Sequence, residues 1–217
     1  MVNYGCQNMV DPIRRVLIKH PKDAYHNQHR VNSVSGQLNY IGIPDYDKSC
    51  DHYDTFVELI QSAGAEIHFL PANKSTSLDS VYTHDPCVVS SGGVILCTMG
   101  KDERHAEPEA IKTYFQSINV PILGKIQEPG TLEGGDVVWI DERTVAVGEG
   151  YRSNAEGIHQ FKALLGDLVD DVISVHLPHW TGPGDCLHLM SNVSPIDHDL
   201  YLVYSRLLPV PFRKYLL

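Results

Sequence analysis

Several features are missing from this 217-residue sequence, and their absence excludes some classes of function before any motif is considered. No apolar run approaches the length of a membrane span, and no charged segment followed by an apolar one opens the chain, so we expect a soluble cytoplasmic protein without a membrane partner. Basic residues are the minority, 17 against 27 acidic residues, and the net charge of −10 argues against a nucleic-acid partner. The acidic balance weakly favours a small cationic substrate.

Cysteine is scarce, and its spacing does not suggest a disulfide framework. The five cysteines include no C-x-x-C pair, which favours a reduced compartment: Cys6, Cys50, Cys87, Cys97 and Cys186. Twelve histidines are present, but none falls in a recognised metal-binding pattern. We therefore predict no metal and no cofactor.

What the sequence does contain is a repeated order of strand, strand, helix and strand. The first copy is predicted as strands 80–90 and 92–99, helix 106–118 and strand 121–126, and the second as strands 134–141 and 144–148, helix 154–165 and strand 171–177. A third copy begins with strands 185–197 and 199–205 and enters a helix near Pro209. The starts at 80, 134 and 185 are spaced by 54 and 51 residues, which predicts α/β modules about an axis. An open α/β sheet with coincidental spacing is the alternative.

The residues before the repeats resemble an incomplete first module. They predict a strand at 14–21, a loop at 22–50 without a clear period, a helix at 51–63 and a strand at 65–71. The helix would place Tyr53, Phe56, Val57 and Ile60 on one apolar stripe. We expect residues 1–217 to form a single α/β domain.

Polar residues recur near the start of the first strand of each copy. They are Asp79 and Asp85 in the first copy, Glu133 and Asp136 in the second, and His188 in the third. If the modules circle an axis, these side chains converge on one cavity, where carboxylates and a histidine form a plausible acid/base set. Taken singly, each residue is equally explained as a turn residue or a core histidine.

Glycines and arginines accompany these candidates. Gly134 and Gly135 lie between the two acids of the second copy, and their missing Cβ lets the backbone approach a neighbour closely. Arg104 and Arg152 occupy corresponding places before the helices of the first and second copies. A loop arginine there can bind a carboxylate with two hydrogen bonds, although a solvated surface charge is the simpler interpretation of either residue alone.

Together these motifs resemble those of the guanidino-group-modifying enzymes, a superfamily that includes arginine deiminase, glycine amidinotransferase and dimethylarginine dimethylaminohydrolase. The resemblance runs from about Met9 to the last residue and rests on the segments 79–85, Arg104 with Glu107-Pro108, 132–137, Arg152-Ser153-Asn154 and 186–189. The run His188-Leu189-Met190 is most similar to the dimethylarginine hydrolase branch. The resemblance implies the pseudosymmetric α/β propeller known as the pentein fold.

The resemblance also implies an activity, the hydrolysis of the guanidino group of arginine or methylated arginine. A cysteine thiolate attacks the guanidinium carbon, and water then hydrolyses the covalent intermediate. The implied roles are general acid/base for His188, guanidinium binding for Glu133 and Asp85, further substrate binding for Asp136, amine binding for Asp79, and binding of the α-carboxylate for Arg104 and Arg152.

The sequence departs from the family pattern at the nucleophile. The family places that cysteine in a Gly-rich segment of the last module, and none of the five cysteines occupies a matching place, so we expect a chain without its last module and nucleophile. Cys186 lies two residues from His188, and on a strand the two side chains would share a face. Because the family holds its nucleophile across the cavity from the histidine, we do not predict Cys186 in that role.

Two functions therefore stay open at this stage. The chain is either an amidine hydrolase by family, inactive as it stands, or a non-catalytic binding protein of the same fold, for which ribosome anti-association factors are a precedent. The expected partner is a small guanidino compound in the first case. An incomplete ring would also expose strand edges and apolar surface, which favours self-association into a homo-oligomer.

Overall fold

The computed structural model describes residues 4–217 and divides the chain into two compact units. The smaller unit comprises Pro12–Thr83 and Asp102–Tyr114. The larger unit comprises the described residues up to Asp11, with His84–Lys101 and Phe115–Leu217. That the whole chain forms one propeller domain stays a prediction, and each unit is described by itself.

Within Pro12–Thr83, the smaller unit contains one parallel strand pair and three α-helices. Its elements are β1 (Arg15–Ile18), α1 (Pro21–Ala24), α2 (Gln28–Val34), α3 (Tyr46–Ser62) and β2 (Glu66–Phe69). Strands β1 and β2 pair in parallel along their whole length. Because a parallel pair needs a crossover connection, the helices between the strands follow from the topology.

The prediction of a loop at 22–50 is wrong, because α1, α2 and the first turn of α3 lie within it. Side chains that begin these helices explain the difference. Asn27 accepts a hydrogen bond from the Arg30 amide at 2.9 Å, and Asp45 accepts one from the Lys48 amide at 2.9 Å. Helices of four and seven residues are too short to show an apolar period.

The apolar stripe predicted on α3 is only partly correct. Tyr53, Val57 and Ile60 are half-buried, whereas Phe56 is 45% exposed. The spacing i, i+4, i+7 places the first three on one line, and Phe56 lies at the edge of that line. Its ring contacts Tyr53 edge-on, with 5.5 Å between the ring centroids.

The larger unit confirms the repeated order. Its elements, with α4 shared with the smaller unit, are β3 (Cys87–Ser90), β4 (Gly93–Leu96), α4 (Glu107–Ser117), β5 (Ile122–Lys125), β6 (Val137–Asp141), β7 (Thr144–Glu149), α5 (Ala155–Leu165), β8 (Asp171–His176), β9 (Val193–Asp197), β10 (Leu200–Val203) and α6 (Val210–Tyr215). Each of the first two copies is an antiparallel hairpin whose second strand takes a parallel third strand. The third copy supplies β9, β10 and the helix predicted near Pro209.

Helix α5 begins and ends where the sequence indicated. The Asn154 side chain accepts a hydrogen bond from the Gly157 amide at 2.8 Å, and Gly166 follows the helix with a φ of 50°. Helix α4 buries Ile111 as predicted, but Ile118 is 40% exposed. Ile118 lies one residue beyond the end of α4 and so leaves the buried stripe.

The three predicted first strands begin too early. Their leading residues form single turns of 3-10 helix instead, at Leu78–Val81, Gly134–Asp136 and Leu189–Ser191. The strands start only where buried β-branched residues follow, at Cys87, Val137 and Val193. The candidate site residues therefore lie on or beside turns that precede strands.

Cross-strand partners in the larger unit show how successive modules pack. Val88 faces Ile95 across β3 and β4, and both join a buried cluster with Phe161 of α5. Val138 of β6 joins a second cluster with Phe212 of α6. In both places residues of two successive modules share one core.

The hairpin β9–β10 is covered on one face only. Tyr201 and Val203 pack inward, whereas Leu202 is 68% exposed and Ile196 and Leu200 are also exposed. Leu202 lies at the register position that Ala146 holds, fully buried, on β7. Self-association through this face stays a prediction. No helix within residues 4–217 is long and apolar enough to cross a membrane.

Candidate active site

Glu133 and His188, predicted from two different copies of the repeat, meet in the larger unit. Each residue immediately precedes a 3-10 turn, so the two hold equivalent places in successive modules. His188 Nε2 lies 2.8 Å from Glu133 Oε2. Both are buried, with 0% of Glu133 and 8% of His188 exposed. This is a carboxylate–imidazole pair shielded from solvent.

The glycine pair explains how the two turns come so close. A Cβ on Gly135 would overlap the ring of His188, and a Cβ on Gly134 would overlap the carbonyl oxygen of His84. The expectation that these glycines permit close approach is confirmed. Side chains at either position would push His188 or the preceding loop away.

Asp85 lies against the same turn. Its Oδ1 accepts a hydrogen bond from the Gly135 amide at 3.1 Å, and its carbonyl accepts one from the Gly134 amide at 2.8 Å. The residue is buried and two positions before β3. A second carboxylate is thus fixed beside the backbone that carries Glu133.

Glu133 has donors on both oxygens. The Gly100 amide donates to Oε1 at 3.0 Å, and Arg152 Nη1 lies 3.2 Å from Oε2. Burial alone would raise the pKa of Glu133, but the His188 hydrogen bond and the Arg152 charge lower it below its ordinary value. The carboxylate is therefore ionised between two cationic groups.

His188 is correspondingly held in its charged form. Burial opposes the imidazolium, but hydrogen bonds with Cys186 and Glu133, together with the Asp136 and Asp85 carboxylates, raise the pKa of His188 to about 11. A protonated imidazole can donate a proton to a leaving group. This is the protonation state that the predicted role of general acid requires, and that role stays a prediction.

Asp136 has both carboxylate oxygens occupied by protein donors. Oδ1 accepts from the Leu189 amide at 3.0 Å, and Oδ2 accepts from the Ser153 hydroxyl at 2.7 Å. Burial raises the pKa of Asp136 to about 6, with His188 opposing the rise. Its predicted contact with substrate stays a prediction.

Ser153 is the functional residue that sequence reasoning missed. It appeared only inside the motif Arg152-Ser153-Asn154, yet its hydroxyl also accepts a hydrogen bond from the Glu133 amide at 3.0 Å. The residue is fully buried. A hydroxyl between an arginine and a helix-capping asparagine was the available signal.

Arg104 and Asp79 lie in the smaller unit. Arg104 binds the buried Glu107 through Nη2 at 2.7 Å and Nε at 3.1 Å, and it donates to the Tyr82 carbonyl at 3.0 Å and the Asp79 carbonyl at 3.4 Å. The guanidinium therefore has a structural role in this unit. Binding of a substrate amine or carboxylate by Asp79 and Arg104 stays a prediction.

Cys186 lies next to His188, although not on a strand as assumed. Its Sγ is 3.5 Å from Nδ1 and 3.8 Å from Nε2, and the residue is exposed. Sγ therefore lies beside the ring, within hydrogen-bond reach of Nδ1 for a sulfur atom. In the described part of the chain no three His, Cys, Asp or Glu side chains converge as metal ligands, and the prediction of no metal remains untested.

Two named proteins are similar to this chain in sequence. Dimethylarginine dimethylaminohydrolase of Pseudomonas aeruginosa is 27% identical over 175 residues, covering 80% of this chain and 65% of that relative. The protein of the same name from Streptomyces coelicolor is 30% identical over 178 residues, covering 77% and 65%. The chain thus spans about 65% of the length of these curated relatives.

Solved structures agree. A cysteine-to-serine mutant of the Pseudomonas aeruginosa enzyme, complexed with citrulline, matches with a TM-score of 0.71 at 26% identity over 89% of this chain and 70% of that one. The N-terminal domain of ArgZ, a cyanobacterial arginine dihydrolase, matches in fold with a TM-score of 0.75 at 20% identity over 93% and 70%. The pentein fold class is confirmed, whereas closure of the modules about one axis stays a prediction.

The match to a family model covers the same stretch as the site. The model of arginine deiminase matches residues 75–213, which is more than half of the chain. This range holds Asp85, Glu133 and His188, the residues that the fold brings together from three modules. The chain therefore belongs to the arginine deiminase family.

Proposed function

We propose that the protein is an amidine hydrolase that acts on the guanidino group of arginine or methylated arginine. The observation that carries the proposal is the buried Glu133–His188 pair, with 2.8 Å between Oε2 and Nε2. Two named relatives are dimethylarginine dimethylaminohydrolases, which adds support from similarity. The family's overall activity supports hydrolysis, and the choice between arginine and its methylated forms is part of the proposal.

Charge supports a guanidinium as the group bound. Glu133 and Asp85 are ionisable carboxylates fixed by backbone amides of Gly100 and Gly135. A planar guanidinium cation can donate its N–H groups to their oxygens in a two-point hydrogen bond. On binding, it would take the place beside Glu133 that Arg152 now holds in part, leaving Arg152 to bind the carboxylate of the same substrate.

Proton transfer falls to His188. A thiolate attack on the guanidinium carbon forms a carbon–sulfur bond, and the carbon–nitrogen bond to the departing amine then breaks. His188 donates its proton to that amine, becomes neutral, and next accepts a proton from the attacking water. The water oxygen bonds to the carbon, the carbon–sulfur bond breaks, and the thiolate is released. Glu133 stabilises the imidazolium whenever His188 is protonated. We assign the thiolate to none of the cysteines within residues 4–217.

The test separates binding from turnover. Calorimetric titration with arginine and with its dimethylated form should show binding, and Glu133→Gln should weaken it by about 1.5–3 kcal/mol, because a hydrogen bond to a charged group is lost. The matched control is Glu128→Gln, a change at an exposed glutamate. Citrulline formation that disappears in Glu133→Gln and His188→Gln supports the hydrolase.

Two other outcomes carry their own meaning. Binding that depends on Glu133, without citrulline formation, supports a guanidino-binding site in a chain to which no nucleophile is assigned, and it equally fits the non-catalytic binding protein of the same fold. A chain that binds neither compound, or that binds both equally well after Glu133→Gln, overturns the proposal.

A further inference from the structure

A buried bridge joins the two halves of the Glu133–His188 pair through their backbones. The Ser153 hydroxyl accepts from the Glu133 amide at 3.0 Å and donates to Asp136 Oδ2 at 2.7 Å. Asp136 Oδ1 accepts from the amide of Leu189, the residue after His188, at 3.0 Å. Only the last of these hydrogen bonds joins the two turns directly, and the other two tie Asp136 to Glu133 through Ser153 within the first turn.

The bridge is enclosed by backbone that leaves no room for movement. A Cβ on Gly148 would lie 2.6 Å from Asp136 Oδ1, so only glycine fits there. The Ser153 carbonyl accepts from the Gly150 amide at 2.8 Å, and Asn154 begins α5 directly after it. With 1% of Asp136 and 0% of Ser153 exposed, solvent does not compete for these bonds.

We propose that Asp136 and Ser153 are positioning residues, which set the distance between Glu133 and His188 by holding the backbone of both. Each Asp136 oxygen and the Ser153 hydroxyl already has a hydrogen-bond partner within the protein, and both residues are buried. The effect on turnover rests on the proposed function, whereas the effect on His188 itself does not.

The carboxylate also acts on His188 electrostatically. Asp136 is among the groups that favour the imidazolium, with Glu133, Asp85 and Cys186. Loss of its charge should therefore lower the pKa of His188, and displacement of His188 from Glu133 should lower it further. This gives a measurement that does not require an active enzyme.

The experiment compares Asp136→Asn and Ser153→Ala with Asp141→Asn, which changes an exposed carboxylate at the end of the same strand. The imidazole of His188 is followed by NMR, with its signals assigned by their absence in His188→Gln. We expect its titration midpoint to fall in Asp136→Asn and to stay in Asp141→Asn. An unchanged midpoint in Asp136→Asn overturns the proposal.

Kinetics supply the second arm where citrulline formation is present. Misplacing a catalytic pair lowers kcat by about 100-fold while leaving KM unchanged, because no substrate contact is lost. Ser153→Thr keeps the hydroxyl and should recover most of kcat, whereas Ser153→Ala should not. A rise in KM at unchanged kcat would assign Asp136 to the substrate and overturn the proposal. If the wild type forms no citrulline, as expected of a chain to which no nucleophile is assigned, the NMR result alone decides this proposal.

Discussion

Two buried arginine–glutamate pairs, one in each unit, have the same residue types and different surroundings. In the smaller unit Arg104 holds Glu107 at 2.7 Å and also donates to two backbone carbonyls. In the larger unit Arg152 lies 3.2 Å from Glu133, which keeps a shorter contact of 2.8 Å with His188. One glutamate serves the fold, and the other is shared between an arginine and a histidine.

A single position accounts for the difference. Both arginines lie three residues before the first residue of a helix, α4 or α5. That first residue is Glu107 in one module and Ala155 in the other. Arg104 therefore finds a carboxylate at i+3, whereas Arg152 finds a methyl group and turns to Glu133. Corresponding arginines of the two modules thus pair with different glutamates.

The largest effect is expected from breaking the structural pair. Glu107→Ala leaves a buried guanidinium without its carboxylate, which should lower the free energy of unfolding by about 3–5 kcal/mol. Urea denaturation measures this change. The matched control is Glu109→Ala, at a glutamate two positions after Glu107. It removes an exposed ion pair with Lys112 and should reduce the free energy of unfolding by about 1 kcal/mol at most.

A double variant sharpens the result. Arg104→Met combined with Glu107→Leu removes both charges at once, so it should be more stable than Glu107→Ala alone. A double variant no more stable than the single one would mean that the carbonyl contacts of Arg104, not the ion pair, hold this part of the smaller unit together.

The second prediction concerns how the stability contributed by the Glu133–His188 pair depends on pH. His188 has a raised pKa of about 11 against an ordinary 6.5, so its stabilisation is complete below pH 6.5 and is lost as the pH rises towards 11. Glu133 has a lowered pKa, so its stabilisation is present above the ordinary value of 4.5 and is lost as the pH falls. The stability difference between wild type and His188→Gln should therefore shrink from pH 6 to pH 10.

Urea denaturation at several pH values measures that difference. His159→Gln, a change at an exposed histidine of α5, serves as the control and should give no comparable trend. A difference that grows with pH would mean that His188 is buried in its neutral form and would contradict its role as a proton donor.

The third prediction tests the i+3 explanation directly. Ala155→Glu places a carboxylate where the other module has Glu107, and it should compete for Arg152 by up to about 1 kcal/mol because the position is exposed. With less positive charge beside it, Glu133 should titrate at a higher pKa. Carbon NMR of the Glu133 carboxyl follows this change, and an unchanged titration would refute the explanation.

Much of this arrangement was readable from the sequence. The period of the repeat and the ends of α5 at Asn154 and Gly166 follow from residues with strong local preferences. The meeting of Glu133 with His188 follows from their equivalent places. The different partners of the two arginines could also have been predicted, because Glu107 follows Arg104 by three residues and Ala155 follows Arg152 by three residues.

Other features depend on contacts that a sequence does not display. The short turns before the strands have no period to detect, so the strands were extended over them. Helices α1 and α2 have the same difficulty. The bridge through Ser153 joins residues 17 and 20 positions apart, and only the fold brings them together.

The smallest effect is expected from Cys186→Ser, a change at the side chain that contacts His188 of the Glu133–His188 pair. Cys186→Ser keeps a polar atom near the ring, so the pKa of His188 should fall only slightly, and less than in Cys186→Ala, which removes the hydrogen-bond partner. NMR titration of His188 measures both changes, and Cys6→Ser, at another exposed cysteine, is the control.

Because serine is a much weaker nucleophile than cysteine, Cys186→Ser also tests whether Cys186 supplies the thiolate. If citrulline formation is lost in Cys186→Ser and retained in Cys6→Ser, Cys186 is the nucleophile, and the catalytic set of this chain is complete within the Glu133 region.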